Sequence, residues 1–479
     1  MRLGAIWGNA KVGRAVAVGC VALALAGIVL AKARGRSGVG PWIARNAITG
    51  LRSTFDSPLV RGQVALSQGA VATEGSRTVY AEVELVAKSV GGDRAAPPVA
   101  IAVVLDVSGS MAGAKLEEAK RAVIELLGRM RPTDRVAVVA YSDEARTLVP
   151  LDTVSSTRER ATSLVGSLVP LNGTNIPAGL GLGVEALAGA PDGFVRRVVL
   201  VSDGLDTSGR GVEWAASRVR ASAERGVTCS ALGVGADYDE SYLSTMANVG
   251  RGNYAFLERG EALAGFLSRE LREASSTSVE NVVVELSAPA GTRVTRVLGH
   301  DGIALGQSVT IPVGALYAGE ERRIVAELAL DGATVGRLGE LSARIRYRGV
   351  SSRQESAVAP AALLLRAVRT EAEAIATRDM EIFASAESAA LAIRQSEAVA
   401  AWRRGDAQAA TRLAHRNAAA ARALAVSAPS AAPALAREAD RYAGEASVFG
   451  STPASSAAGR AAGLDSNAHN LAHARGRAP

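Results

Sequence analysis

The stretch VAIAVVLDVSGSM, residues 99–111, decides the fold: an apolar run that stops in an aspartate and a Ser-Gly-Ser turn. A run with no polar alternation is that of a strand buried on both faces, as in the middle of a parallel sheet. Three more such runs follow, RVAVVAYS (135–142), RRVVLVSD (196–203) and VTCSALGVG (227–235). Stretches with helical spacing lie between and after them, at 113–130, 155–168, 177–189, 211–225, 239–248 and 260–274. This alternation predicts an α/β domain over 97–275, a doubly wound and mostly parallel sheet with helices on both faces.

Ligand sites in such sheets form at the carboxyl ends of strands, near the point where strand order reverses. Three segments carry oxygen donors to that edge. The first strand ends in LDVSGSM, which places Asp106, Ser108 and Ser110 in the loop before a helix. LNGTNIPAGL (171–180) places Thr174 in a Gly/Asn loop before another helix, and VSDG (201–204) places Asp203 at the end of a strand. Two carboxylates and three hydroxyls form a hard-oxygen donor set that suits Mg²⁺, which wants near-octahedral oxygen ligands. Mn²⁺ and Ca²⁺ accept the same donors. The carboxylates neutralise the ion. The hydroxyls add no charge, so the ion keeps Lewis acidity for one further acidic ligand.

Other chemistries at these residues fail on composition. A phosphatase of the DxDx[TV] type needs a second aspartate where Ser108 stands, and Ser108 as a hydrolase nucleophile needs a histidine base. The four histidines are His300, His415, His469 and His473, all outside the α/β segment. Gly181 and Gly183 fall within a helical stretch and do not form a phosphate cradle. Asp237, Asp239 and Glu240 precede a helix and read as partners of its dipole. With two cysteines, Cys20 and Cys229, there is neither a disulfide scaffold nor a Cys-rich zinc site, and Cys229 reads as a buried thiol in a strand.

The order DxSxS, a threonine in a G-T-N loop, then S-D-G after a strand resembles the von Willebrand factor A family and its metal-ion-dependent adhesion site. The likeness covers about 99–274 and includes ALGVG (231–235) and LSTMANVGRGNYAFL (243–257), similar to the family's last strand and helix. It implies that Asp106, Ser108 and Ser110 ligate a divalent ion directly, and that Thr174 and Asp203 do so directly or through water. A protein partner's Asp or Glu would complete the shell. The function implied is non-enzymatic, a metal-dependent protein–protein interaction. The larger layout resembles bacterial membrane-anchored members related to calcium-activated chloride channel homologues and inter-alpha-trypsin inhibitor heavy chains. The alternative is an accessory subunit or scaffold working with a separate AAA-type ATPase in complex assembly or metal insertion, since the chain has no Walker A motif.

The flanking sequence sets the context. The formal net charge of +7 resides entirely in residues 1–60, with eight Lys/Arg against Asp56 alone. A nucleic-acid binder would carry its basic excess on a folded domain, so no nucleic acid is expected. The basic residues instead flank AVAVGCVALALAGIVLA (15–31), an uncharged run that reads as a membrane anchor or a cleaved signal peptide. The bulk of the chain is then extracytoplasmic. Residues 32–57 read as a linker. Residues 58–96 alternate as strands and are expected to join the short strands of 276–357 in one antiparallel β-sandwich, with the α/β domain inserted between them. Residues 358–447 are Ala-rich and broken at Gly405-Asp406 and near Pro429 and Pro433, which predicts a helical hairpin of two or three helices. Residues 448–479, rich in Gly, Ser, Ala and Arg, are expected to be a disordered tail.

Overall fold

The computed structural model describes residues 50–477 apart from 76, 90–95, 236–237, 259–261, 301–302 and 333. The chain divides into Met1–Thr49 and Gly50–Pro479, and all that follows concerns the second unit. The apolar segment 15–31 and most of 32–57 therefore lie outside the described residues. Among the described residues, no helix is long and apolar enough to cross a membrane.

The unit opens with β1 (Arg52–Asp56), β2 (Val60–Leu66), β3 (Ala70–Ala72) and β4 (Thr78–Ala87). It then enters an α/β layer of β5 (Val99–Asp106), α1 (Ala114–Arg129), β6 (Arg135–Tyr141), β7 (Ala145–Thr153), α2 (Val154–Gly166) and α3 (Ile176–Ala188). The layer continues through β8 (Val195–Ser202), α4 (Val212–Glu224), β9 (Val227–Val234), α5 (Glu240–Val249), β10 (Arg251–Leu257) and α6 (Leu263–Ser275). Strands return as β11 (Thr277–Ser287), β12 (Thr292–Val297), β13 (Ser308–Tyr317), β14 (Glu321–Leu330), β15 (Gly336–Gly349), β16 (Glu355–Val358) and β17 (Leu363–Val368). Helices α7 (Glu371–Ile375), α8 (Met380–Arg403), α9 (Ala407–Ser427), α10 (Ala432–Ser451) and α11 (Ala457–Ala474) follow.

The α/β sheet runs β10-β9-β8-β5-β6-β7, with every pair parallel except β6–β7. All eight residues of β5 are buried. Val99, Ile101, Val103 and Leu105 face the core under α1 and α6, while Ala100, Ala102 and Val104 face α3 and α4. The small face admits α3 closely. A Cβ on Gly183 would meet Val104 Cγ2 at 2.4 Å, and one on Gly179 would meet the Tyr141 ring at 2.7 Å. Gly179 and Gly183 are thus packing residues of α3. Gly183→Ala is expected to destabilise the fold by about 1–2 kcal/mol in urea unfolding, because overpacking against a stiff β-branched neighbour outweighs the gain in helix propensity.

The order places a switch point at β5, because the chain leaves β5 for β6 on one side and returns to β8 on the other. Strand β7 corrects the sequence reading, which passed over 145–153. It is an antiparallel edge strand with Pro150 inside it and only Val149 buried, so it lacks the apolar run of an inner strand.

The flanking strands form a two-sheet sandwich, β1-β2-β4-β14-β12 against β13-β11-β15-β17-β3, with β16 on β15. Strand β4 pairs with β14 from Thr78↔Ala329 to Val86↔Glu321, so the α/β layer is an insertion between two parts of one sandwich. Three boundaries shift. Strand β1 begins within 32–57. Strand β17 lies within 358–447, where LLLRAV alternates buried and exposed side chains. The stretch 448–479, read as a disordered tail, instead completes α10 and forms α11. Helix α11 has few large apolar residues, and polar anchors hold it: Ser456 caps its start, Arg441 Nη2 donates to Asn470 Oδ1 at 2.7 Å, and His469 Nε2 pairs with Glu438 Oε1 at 3.0 Å. Its Leu464 joins the core behind β5, and Asn467 Nδ2 donates to Glu240 Oε1 at 3.1 Å. Helix α8 lays Ala386, Ala389 and Ala390 on Leu298 and Val325 of the sandwich. Alanine buries little area per residue, and these helices gain stability by docking on both neighbours. Cys229 is buried in β9, and its desolvation pushes the thiol up to about 12, which makes it inert.

Candidate metal centre

Asp106 is the last residue of β5 and lies beside Tyr141 at the end of β6. Its carboxylate is fully buried and satisfied on both oxygens. Ser108 N–H donates to Oδ1 at 2.8 Å, Ser202 Oγ donates to Oδ2 at 2.7 Å, and Tyr141 OH donates to Oδ2 at 3.3 Å. Burial pushes the Asp106 carboxyl above the usual carboxylate range. The hydrogen bonds from Ser108 and Ser202 oppose that rise, and the charge of Asp203 adds to it.

A short 3₁₀ turn, Gly109–Met111, carries the chain from β5 into α1. It brings Ser108 Oγ and Ser110 Oγ to 3.0 Å from each other, and Ser110 Oγ donates to Asp203 Oδ1 at 2.7 Å. Asp203 follows β8 and is buried, and its Oδ2 receives an ion pair from Lys115 of α1.

Thr174 is held by its backbone. Its N–H donates to Thr207 Oγ1 at 2.9 Å, and its carbonyl accepts from Thr207 N at 2.8 Å. Asn175 then caps α3 by accepting from Ala178 N at 3.0 Å. Gly173 turns with φ +72°, and a Cβ there would stand 1.5 Å from Asp143 Oδ1, so only glycine fits the bend. A Cβ on Gly204 would lie 3.3 Å from both Ser110 Oγ and Thr174 Oγ1. These two hydroxyls therefore border one small cradle, which glycine leaves open.

The structure thus joins Asp106, Ser108, Ser110 and Asp203 by direct hydrogen bonds and brings Thr174 to the same cradle. Ser202, Tyr141, Thr207 and Lys115 were not singled out from the sequence. Two of them had a local signal: Ser202 precedes Asp203, and Tyr141 ends the strand adjacent to β5. The partnerships of Thr207 and Lys115 cross between elements. Asp239 caps α5 by accepting from Tyr242 N at 2.9 Å, and Asp237 lies outside the described residues. Among the described residues no group of three or more His, Cys, Asp or Glu side chains is placed to hold a metal. The donor set here is of another kind, two buried carboxylates and three hydroxyls. All are hard oxygens around a cradle without a Cβ, and they fit a divalent cation such as Mg²⁺.

A doubly wound sheet with this carboxyl-end oxygen cluster defines a class, and comparison with known proteins names it. Residues 100–269 match the family described as von Willebrand factor type A domain. The chain carries a von Willebrand factor type A domain, set within a β-sandwich and followed by helices. It is 28% identical over 241 residues to YfbK of Escherichia coli K12, covering 48% of this chain and 41% of that protein. It is 26% identical over 278 residues to human inter-alpha-trypsin inhibitor heavy chain H4, covering 55% of this chain and 28% of that one. The chain therefore spans less than half the length of these two relatives. A solved structure, a von Willebrand factor type A protein from Catenulispora acidiphila, shares the fold with a TM-score of 0.65 and 21% identity, covering 89% of this chain and 100% of that one.

Proposed function

We propose that this protein is a non-enzymatic interaction module that captures a carboxylate of a protein partner through a divalent cation, most simply Mg²⁺, held by Asp106, Ser108, Ser110, Thr174 and Asp203. The observation that carries the reading is the convergence of two buried carboxylates and three hydroxyls at the switch point of the sheet. Held there, a cation supplies an electrophilic coordination position for an acidic side chain. The protein's part is to fix the donors beforehand: Ser202, Tyr141 and the Ser108 N–H orient Asp106, and Thr207 fixes the loop of Thr174.

The surface around the site supports a protein partner. Among the described residues nine large apolar side chains are exposed, and four of them lie in the connections that carry Thr174 and Asp203 or just beyond. They are Val169, Leu171, Leu205 and Trp214. Arg210 and Arg218 stand 4.6 and 5.0 Å from the Trp214 ring centroid. Exposed apolar side chains in the segments adjoining the site are ones a protein partner would cover. We further propose that residues 15–31 tether the chain to a membrane with its bulk extracytoplasmic, on the strength of the basic residues around that apolar run.

Thermal unfolding of the full chain in EDTA and across Mg²⁺ and Mn²⁺ titrations tests the metal site. Ligand at 100 times its dissociation constant adds about 2.7 kcal/mol, a rise of a few degrees. The wild type is expected to show this rise and Asp203→Ala to lack it. No metal-dependent rise in the wild type, or an equal rise in both, would refute the reading.

A further inference from the structure

We propose that Lys115 is the built-in counter-ion of the metal site, whose ammonium competes with a divalent cation for Asp203 and so sets how much cation the site needs before it loads. The inference rests on the metal-site reading above. Lys115 lies in the first turn of α1, the helix that follows the Ser108–Ser110 turn. Its Nζ pairs with Asp203 Oδ2 and donates to the Ser110 carbonyl at 3.4 Å. The Asp203 side chain is wholly buried, whereas that of Lys115 is 34% exposed, so the lysine reaches into the site from its rim. It passes Gly235 at the end of β9, where φ is +75° and a Cβ would stand 3.3 Å from both Lys115 Cε and Nζ. Glycine at this position leaves the side chain its path.

Its bonding partners set Lys115 apart from the other residues of the site. Asp203 Oδ1 accepts from Ser110 and Oδ2 from Lys115, while Asp106 Oδ1 accepts from Ser108 and Oδ2 from Ser202 and Tyr141. Each of the four carboxylate oxygens therefore has a protein donor. Ser108 and Ser110 can turn a lone pair towards a cation while keeping their places, because a hydroxyl both donates and accepts. An ammonium has no lone pair. Lys115 can only repel a cation, and while its ammonium sits on Asp203 Oδ2 it opposes ligation by that carboxylate. Its long stem and partial exposure let it leave without disturbing α1. The ion pair thus ties α1 to Asp203 and sets an ammonium against any cation that binds there.

Isothermal titration of the full chain with Mn²⁺ at constant pH tests this, comparing wild type, Lys115→Met, Lys115→Arg and Arg121→Gln. Arg121 is exposed on the same helix and reports the effect of removing a positive charge away from the site. A hydrogen bond to a charged group corresponds to roughly tenfold or more in an equilibrium constant. Lys115→Met is expected to bind Mn²⁺ about tenfold tighter or more, and to melt below the wild type in EDTA. Lys115→Arg is expected to bind no tighter than the wild type, and Arg121→Gln to match it. Equal affinity in wild type and Lys115→Met would overturn the proposal while leaving the metal site standing. The same tightening in Arg121→Gln would also overturn it, by assigning the effect to net charge. Absence of Mn²⁺ binding in every variant would remove the metal site and the proposal with it.

Discussion

Asp106→Ala is expected to leave the chain folded while abolishing metal-dependent carboxylate capture. The two consequences have separate causes. Asp106 is a buried carboxylate whose charged form the interior disfavours, so removing it relieves desolvation. It also leaves the Ser108 N–H and the Ser202 hydroxyl without their acceptor, at a cost of about 1–3 kcal/mol for each group that finds no other partner. Tyr141 keeps the Val201 carbonyl as an acceptor at 3.3 Å. Truncation therefore bears on stability modestly. It bears on function heavily, because one of the two carboxylates that would balance a dication is gone. Removing even an outer partner of a metal ligand typically costs 10–100-fold in affinity, and a loss of about 100-fold or more is expected for this inner one. Water-proton relaxation by Mn²⁺ measures both steps: binding raises the enhancement, and acetate or a glutamate-containing peptide then lowers it by displacing bound water. Wild-type behaviour in both steps by Asp106→Ala would refute the assignment of this residue, whatever its effect on melting.

Glu270→Ala is expected to destabilise the protein by about 3–5 kcal/mol, the usual consequence of stranding a buried charge. Glu270 of α6 is 0% exposed and Arg197 of β8 is 5% exposed. Glu270 Oε2 accepts from Arg197 Nη1 at 2.7 Å and from Ser230 Oγ at 2.8 Å, and its Oε1 accepts from Asn253 Nδ2 at 2.7 Å. One carboxylate thus ties α6 to β8, β9 and β10. Glu273 stays 3.3 Å from Arg197 Nη1 and offsets part of the loss. Replacing both partners, Arg197→Leu with Glu270→Leu, is expected to recover most of it, since the pair's desolvation cost vanishes with the pair. Urea unfolding of the two variants and the wild type measures this. A Glu270→Ala variant within 1 kcal/mol of the wild type would show that Glu273 suffices. Because α6 ends at Ser275 and β11 begins at Thr277, the same network fixes the entry of the chain into the sandwich.

The sequence by itself determined the α/β layer and its donor residues. A strand buried on both faces must be apolar at every position, and VAIAVVLD announces that without reference to any neighbour. Asp106, Ser108 and Ser110 sit within five residues of one another, and Thr174 and Asp203 each sit in a short loop at a strand or helix end, so local pattern reached them. Tertiary structure alone decided the rest. Strand β7 escaped because an edge strand needs no apolar run. Helix α11 escaped because Asn470, His469 and Leu464 stabilise it only once α10 and the sheet are in place to receive them. Lys115 reads as an ordinary first-turn lysine, and Gly235 as an ordinary strand-end glycine. Folding brings these residues, 120 apart in sequence, side by side, with Lys115 on the buried Asp203 carboxylate. Periodicity records which face of an element is apolar. Which charge meets which is settled only when separate elements pack and a buried carboxylate must find its donors.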